Sequence, residues 1–167
     1  MQTSISSSRT SVSELTKIAL VAALYVAVTL ILSVISFGAV QLRLSEMFNY
    51  LALYHKRYVI AVTLGVVLAN FMSPTWILDV PIGGISTFLV LLICRASTKN
   101  IQNMKIRMVI TALIVTASMF TVAGQLTIML DLPFWPTYLT VAIGELFSMT
   151  VGGVTIYLLN KKLNFAK

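Results

Sequence analysis

The sequence predicts an all-α integral membrane protein, a bundle of six transmembrane helices with both termini in the cytoplasm. Two observations lead to this fold class. Of the 167 residues, 58% are hydrophobic and only 10% are charged, whereas a soluble domain carries about 25% charged residues. Long apolar runs also alternate with short basic clusters, which is typical of membrane proteins. A nucleic-acid-binding surface would instead need a continuous basic face, so we expect contact with lipid and none with nucleic acid.

The whole chain, residues 1–167, is predicted to form a single transmembrane domain that starts with a polar tail over residues 1–13. A membrane span needs about 20 mostly apolar residues. Six helices are predicted, over residues 14–35, 44–55, 58–72, 80–94, 105–130 and 137–160. The third and fourth are separated by a Ser-Pro pair at residues 73–74, which breaks a helix. The second, over 44–55, is the weakest because it is short and partly polar.

The distribution of basic residues requires that weak span. Eleven of the twelve basic residues fall in four clusters: Arg9 and Lys17; Lys56 and Arg57; Arg95, Lys99, Lys105 and Arg107; and Lys161, Lys162 and Lys167. For all four clusters to lie in the cytoplasm, the chain must cross the membrane twice between each neighbouring pair. The helix over 44–55 is therefore needed, and the remaining basic residue, Arg43, is placed outside.

Motifs of catalysis are missing from the sequence. It contains no G-x-x-x-x-G-K-[ST] phosphate loop, no H-E-x-x-H and no G-x-S-x-G. A single histidine, His55, and a single cysteine, Cys94, cannot build a histidine or cysteine metal site. We predict that the chain is not an enzyme, and we expect neither a cofactor nor a metal.

Glu145 is a candidate ligand-binding residue because it lies inside the last predicted span, about 12 Å from its outer end. An ionisable group at that depth is costly and usually marks the path of a ligand or an ion. The alternative is a structural carboxylate that bonds to a neighbouring helix.

The stretch "SFGAVQLRLSEMFNY" (36–50) concentrates polar residues in an apolar chain. Gln41, Arg43 and Ser45 alternate as one face of an extended segment. Four residues then follow at i, i+3, i+4 and i+7 and would share one face of an α-helix: Glu46, Asn49, Tyr50 and Leu53. Both faces could line a pocket. The alternative is a simple salt bridge between the arginine and the glutamate.

Four further candidates lie near the predicted outer ends of helices. Asn70 and Asp79 could line the pocket or cap helices, the aspartate as the N-cap of the fourth helix. Trp76 and Trp135 could stack on a ligand or belong to the aromatic belt at the membrane surface.

The first helix carries a row of small residues, Ala19, Ala23 and Ala27, which would let another helix approach closely. That helix could belong to the same bundle or to a partner subunit. Near the start of the helix, Ser11 and Glu14 match a capping box.

The sequence resembles the substrate-binding (S) components of energy-coupling factor transporters, and most of all the QueT family of queuosine-precursor transporters. The resemblance rests on "ISFGAVQLRLSE" (35–46), "LGVVLANFMSPTWILDVPIGGISTFL" (64–89) and "LTVAIGELFSMTVGG" (139–153). It implies six helices in a bacterial cell membrane and a binding site that opens outward. It also implies partners, namely one transmembrane scaffold subunit and two ATPases, with the alanine row of the first helix packed against the scaffold.

The implied substrate is a deazaguanine base, either a precursor of queuosine or queuine itself. A guanine-like edge presents adjacent N–H donors, which a carboxylate accepts in bidentate geometry. Glu145 and Glu46 are the first candidates for that role. Ten residues form the predicted binding site: Gln41, Arg43, Glu46, Asn49, Tyr50, Asn70, Trp76, Asp79, Trp135 and Glu145.

Within this set, the carboxylate of Asp79 could meet an exocyclic amine, and Gln41 and Asn70 could read donor and acceptor positions. Tyr50 or a tryptophan could stack on the base, while Arg43 would hold Glu46 in place or contact a carbonyl. Two alternatives stay open: an S component for another vitamin-like solute, and a carrier that transports a small solute without partners.

Overall fold

The computed structural model of the protein describes residues 12–37, 42–163 and 165. These residues form seven α-helices and one 3₁₀ helix, with no β-strand among them. The α-helices are α1 (Val12–Ile31), α2 (Ser33–Ser36), α3 (Arg57–Asn70), α4 (Trp76–Thr98), α5 (Met104–Ser118), α6 (Phe120–Leu130) and α7 (Phe134–Leu163). The 3₁₀ helix covers Leu44–Leu53 and lies between α2 and α3.

The predicted all-helical class is confirmed, while several helix bounds differ from those predicted. The first predicted helix is interrupted at Leu32, which separates α1 from α2, and the fifth is interrupted at Met119. α4 begins four residues before the expected start at residue 80, because the connection after Asn70 needs only residues 71–75. Pro81 therefore lies inside α4, where its missing N–H leaves the carbonyl of Ile77 without its helical partner.

Four helical stretches are long and apolar enough to cross a membrane: Val12–Ile31, Trp76–Thr98, Met104–Leu130 and Phe134–Leu163. α3 is apolar but has only 14 residues, about 21 Å at 1.5 Å per residue. The 3₁₀ helix has ten residues and reaches about 20 Å because its rise is about 2.0 Å per residue. The six-span count and the cytoplasmic termini remain predictions.

The 3₁₀ helix lies in the middle of the bundle, and eight of its residues are buried. It packs mainly against α7, with further contacts to α1 and α3. Gly152 makes the closest part of this contact possible, since a Cβ added there would come within 2.2 Å of Met47 Cβ. On the other side, α1 packs against α3, where Gly65 leaves room for the buried ring of Tyr25.

Basic side chains hold the C-terminal end of the 3₁₀ helix. Arg95 of α4 donates a hydrogen bond to the carbonyl of Ala52, and Arg107 of α5 donates to the carbonyl of Leu53 at 2.7 Å. The last carbonyls of any helix lack partners within the helix. These two arginines are the hydrogen-bond partners of two such carbonyls, and they fix the end of the 3₁₀ helix that lies opposite Arg43.

The capping roles predicted for Asp79 and for the Ser11–Glu14 pair have different outcomes. Asp79 is not the N-cap of α4, because that helix already starts at Trp76 and the N-cap position belongs to Thr75. Ser11 lies outside the described residues, so the capping box is not tested. Glu14 lies 3.7 Å from the Nη1 atom of Arg57 and forms a salt bridge with it.

Candidate ligand-binding site

A cavity of about 70 Å³ lies between the 3₁₀ helix and helices α3 to α7. It is at the end of the bundle formed by the α3–α4 connection and by Arg43, which is the end predicted to face outward. Apolar side chains make up part of its wall, and they are aliphatic or methionine rather than aromatic: Val66, Val90, Leu91, Val115, Met119, Val122 and Val141. The polar part of the wall contains most of the predicted site.

Six of the ten predicted binding residues line this cavity: Arg43, Glu46, Asn49, Asn70, Asp79 and Glu145. They come from the start of the 3₁₀ helix, from the facing ends of α3 and α4, and from α7. The structure therefore brings together residues that lie up to about 100 positions apart in the sequence. Gln41 lies outside the described residues, and Tyr50, Trp76 and Trp135 do not line the cavity.

Glu46 is held by two donors, one on each carboxylate oxygen. The hydroxyl of Tyr25, on α1, donates to Oε1. The amide nitrogen of Asn49 donates to Oε2 at 2.5 Å. Tyr25 is fully buried, so water cannot easily replace its hydrogen bond. A carboxylate can accept about four hydrogen bonds, which leaves Glu46 with free acceptor capacity toward the cavity.

Arg43 does not form the predicted direct bond to Glu46. Its Nη1 atom donates instead to the side-chain oxygen of Asn70 at 3.1 Å. The amide nitrogen of Asn70 in turn donates to the backbone carbonyl of Asp79 at 2.7 Å. Asn70 thus ties the start of the 3₁₀ helix to the first turn of α4. It does not cap α3, because the C-cap position of that helix belongs to Phe71.

The carboxylate of Asp79 is also oriented by neighbouring hydroxyls. Its Oδ2 atom accepts hydrogen bonds from Ser73 Oγ and from Thr75 Oγ1, the latter at 2.7 Å. Both donors belong to the short connection between α3 and α4. Asp79 therefore fixes that connection and lines the cavity at the same time.

Glu145 lies on α7, eleven residues after its start at Phe134. Its side chain is buried, with 2% exposure, and its Oε1 atom has no hydrogen-bond partner among the described residues. The alternative of a structural carboxylate bonded to a neighbouring helix predicts such a partner for that oxygen. An unpaired buried carboxylate oxygen beside a cavity fits a ligand-binding role better.

The prediction for Tyr50 is wrong in its placement, and the geometry of the 3₁₀ helix explains why. In a helix with three residues per turn, residues i and i+3 share a face. Glu46 and Asn49 therefore both reach the cavity, while Tyr50, at i+4, is rotated by about 120°. Its hydroxyl donates to the carbonyl of Met149 on α7 at 2.9 Å.

Trp76 and Trp135 lie on the surface of the bundle, with 48% and 71% of their area exposed. Trp76 stacks on Phe71, with ring centroids 6.2 Å apart, and Trp135 contacts Phe134 edge to face. Both positions agree with an interfacial aromatic belt. Among the described residues that line the cavity, none is aromatic.

The structure adds polar residues that the sequence analysis missed. Tyr25 holds Glu46 without lining the cavity itself. Gln125 of α6 lines the cavity and is buried. It is the one side-chain amide between residues 104 and 130, so the argument applied to Glu145 could have identified it. The remaining polar members of the wall are hydroxyl residues: Ser86, Thr87, Ser118 and Thr121.

The alanine row of α1 faces away from the bundle. Ala19, Ala23 and Ala27 are all exposed. The buried side of the same helix is formed by Ile18, Val21, Ala22, Tyr25 and Thr29. Of the two predicted roles, packing inside the bundle is therefore wrong, and packing against a partner stays a prediction.

The sequence was also compared with known proteins. The family model described as "QueT transporter" matches residues 15–162, a range that includes the whole cavity wall. The chain belongs to the QueT transporter family. A relative from Lactococcus lactis subsp. cremoris (strain MG1363), named "Queuosine precursor transporter QueT", is 38% identical over 163 residues. The match covers 92% of this chain and 96% of the relative. No solved structure matches significantly.

Membership of the QueT family confirms the resemblance drawn from the sequence. The family and the relative are named as transporters and not as enzymes. Together with four helices able to cross a membrane, this makes the chain a multi-pass bacterial membrane protein. The cavity between its helices is the candidate site of a QueT transporter.

Proposed function

We propose that this chain is the substrate-binding subunit of an energy-coupling factor importer. It captures a queuosine precursor, a deazaguanine base, from outside the cell, and partner ATPases drive the uptake. The relative from Lactococcus lactis carries the name of a queuosine precursor transporter, which supports the substrate. The observation that carries the proposal is the cavity itself, where carboxylates and amides converge between aliphatic walls.

The chemistry of the wall fits the edge of a guanine-like base. Glu46 is held in place by Tyr25 and Asn49, so it can accept two adjacent N–H groups without first being ordered. Preorganised acceptors of this kind bind with less loss of entropy. Since none of the described residues in the wall is aromatic, the faces of the base would rest on valine, leucine and methionine side chains.

Ligand entry requires a rearrangement. The cavity volume of about 70 Å³ is well below the roughly 300–1,000 Å³ of typical ligand pockets. Side chains of the wall must therefore move apart when a base enters. We expect the bound form to have a larger cavity between α4 and α6, where the wall is built from small and flexible side chains.

The scaffold subunit would dock on α1. The exposed residues Ala19, Ala23 and Ala27 of α1 have small side chains, which another helix can approach closely. The sequence contains no phosphate-binding loop of its own, so the energy for transport would come from the two ATPases of the complex.

Two experiments test the proposal. Calorimetric titration of the purified chain with a deazaguanine base, riboflavin, biotin and thiamine should give tight binding of the base alone. Tight binding of a vitamin and none of the base would refute the substrate. Reconstitution in liposomes should give no uptake without partner subunits and ATP. Uptake by the chain alone would show a self-sufficient carrier.

A further inference from the structure

A second cavity lies at the other end of the bundle, the end predicted to face the cytoplasm. Its volume is about 490 Å³, within the roughly 300–1,000 Å³ of typical ligand pockets. It is bounded by the start of α1, by the connection from the 3₁₀ helix to α3, and by the second half of α4. None of the described residues lines both cavities, so the second cavity is a separate site.

Positive charge predominates in the polar part of the second cavity. Three of its described wall residues carry a permanent positive charge, Lys56, Arg57 and Arg95. One carboxylate, that of Glu14, stands against them. Glu14 forms the salt bridge with Arg57 at 3.7 Å, so the charge of this pair is balanced. The ammonium group of Lys56 and the guanidinium of Arg95 leave an excess of positive charge, which favours an anionic occupant.

Arg95 and His55 keep hydrogen-bond donors for such an occupant. A guanidinium has five N–H donors, and the bond from Arg95 to the carbonyl of Ala52 uses one of them. The Nδ1 atom of His55 accepts a hydrogen bond from the backbone N–H of Arg57 at 3.1 Å. In a neutral imidazole the other nitrogen then carries the proton, so Nε2 is a donor. Charged donors of this kind suit the acceptor oxygens of a phosphate group.

The other side of the second cavity is apolar. It is lined by Ile60 of α3 and by Phe88 and Leu92 of α4, and all three side chains are exposed. The exposed apolar surface continues through Leu64 and Ile85 toward the middle of these two helices. A free phosphate ion would leave this surface uncovered, whereas a phospholipid matches both parts of the cavity.

The length of α3 adds an argument from the bilayer. Its 14 residues extend about 21 Å, whereas the hydrocarbon core of a bilayer is about 30 Å thick. The two ends of α3 therefore cannot both reach the headgroup layers of an undeformed bilayer. A short span is accommodated by local thinning of the bilayer. A lipid whose phosphate is held at the start of α3 by Lys56 would produce such thinning there.

We propose that the second cavity binds an anionic phospholipid of the cytoplasmic leaflet. The phosphate lies among His55, Lys56 and Arg95, and one acyl chain follows the exposed apolar surface of α3 and α4. Basic pockets between transmembrane helices on the cytoplasmic side are typical binding sites of lipid headgroups. The site requires neither the substrate nor the partner subunits, so the inference goes beyond the proposed function.

Native mass spectrometry of the purified full chain in detergent tests this inference. The chain is titrated with dioleoylphosphatidylglycerol, which is anionic, and with dioleoylphosphatidylcholine, which has the same acyl chains and no net charge. We expect the anionic lipid to bind about fivefold more tightly or better. Glycerol 3-phosphate has a phosphate but no acyl chains, and it should not displace the lipid. Equal binding of the two lipids, or displacement by glycerol 3-phosphate, overturns the inference.

Matched variants assign the lipid to the second cavity. Lys56→Gln removes an exposed charge and should weaken binding of phosphatidylglycerol about fivefold, which corresponds to about 1 kcal/mol for one basic residue near an anionic membrane surface. Lys56→Arg keeps the charge and should bind like the original chain. Lys162→Gln makes the same change in the last turn of α7, outside the cavity, and should have no effect.

Unchanged lipid binding by Lys56→Gln, or an equal loss in Lys162→Gln, overturns the inference. Co-purification of the Lys56→Gln chain with the scaffold subunit is measured in parallel. If that variant loses the scaffold but keeps the lipid, the cavity is a contact with a protein and the lipid site is refuted.

Discussion

Tyr25→Phe should weaken ligand binding although Tyr25 does not line the cavity. The substitution removes only the hydroxyl that donates to Glu46 Oε1. Because the ring is fully buried against Gly65 and Phe48, no water molecule can take the place of the hydroxyl without disturbing the packing. Within the described part of the chain, Glu46 then keeps one donor, the amide of Asn49.

The magnitude follows from that lost bond. A hydrogen bond to a charged group contributes about 1.5–3 kcal/mol. Part of this energy is lost from the free energy of unfolding. The other part is lost from the free energy of binding, because Glu46 is less well ordered in the complex with the base. If about 1.4 kcal/mol is felt in the complex, the affinity falls about tenfold. We expect a loss of affinity of this order together with a lower melting temperature.

The assay is calorimetric titration of the purified chain with a deazaguanine base, together with thermal unfolding in the same detergent. Tyr54→Phe is the matched control, because the Tyr54 hydroxyl is buried and has no hydrogen-bond partner among the described residues. That variant should bind like the original chain. The reasoning is refuted if Tyr25→Phe binds with unchanged affinity, or if both variants lose affinity equally.

Three more predictions concern Gly152, Asn70 and Ala23. Gly152→Ala should cost about 1–3 kcal/mol in thermal unfolding, since its Cβ would lie 2.8 Å from the Met47 Cα; Gly124→Ala, which meets nothing within 4 Å, should stabilise by about 0.5–1 kcal/mol. Asn70→Leu should reduce base affinity in titrations by breaking the link between the 3₁₀ helix and α4, and unchanged affinity would argue against that link. Ala23→Trp should prevent co-purification with the scaffold subunit and leave base binding intact; the reverse result would place the alanine row elsewhere.

Much of the site could be predicted because a polar side chain inside a membrane bundle is energetically unfavourable unless it has a function. Glu145 and Glu46 stood out in an apolar chain, and the structure places both at one cavity. The same argument applies to Gln125 in an otherwise apolar stretch. Hydroxyl residues gave a weaker signal, since they can bond within their own helix: Ser118 donates to the carbonyl of Val115 at 2.7 Å. Their presence in the wall could not be read from the sequence.

The sequence could not predict which residues after Glu46 face the cavity, because that depends on the type of helix. The spacing of Glu46, Asn49 and Tyr50 fits an α-helix and places all three on one face. The structure forms a 3₁₀ helix instead, so the first two stay together and the third turns toward α7. The sequence pattern does not reveal this choice, because it depends on tertiary contacts such as that between Met47 and Gly152. The long-range pairs with Tyr25 and Asn70 are likewise products of packing.

Hydrogen bonding divides the polar residues around the cavity into two groups with different roles. In the first, side chains bond one another, as Tyr25 does with Glu46 and as Arg43 does with Asn70. In the second, buried acceptors of Gln125 and Glu145 have no partner among the residues that the structure describes. Paired groups contribute to stability, whereas unpaired buried groups lower it unless a ligand satisfies them. Substitutions in the first group should therefore reduce stability and affinity together. Apolar substitutions in the second should reduce affinity while leaving the free protein as stable or more stable, which is the balance expected of a site kept for binding.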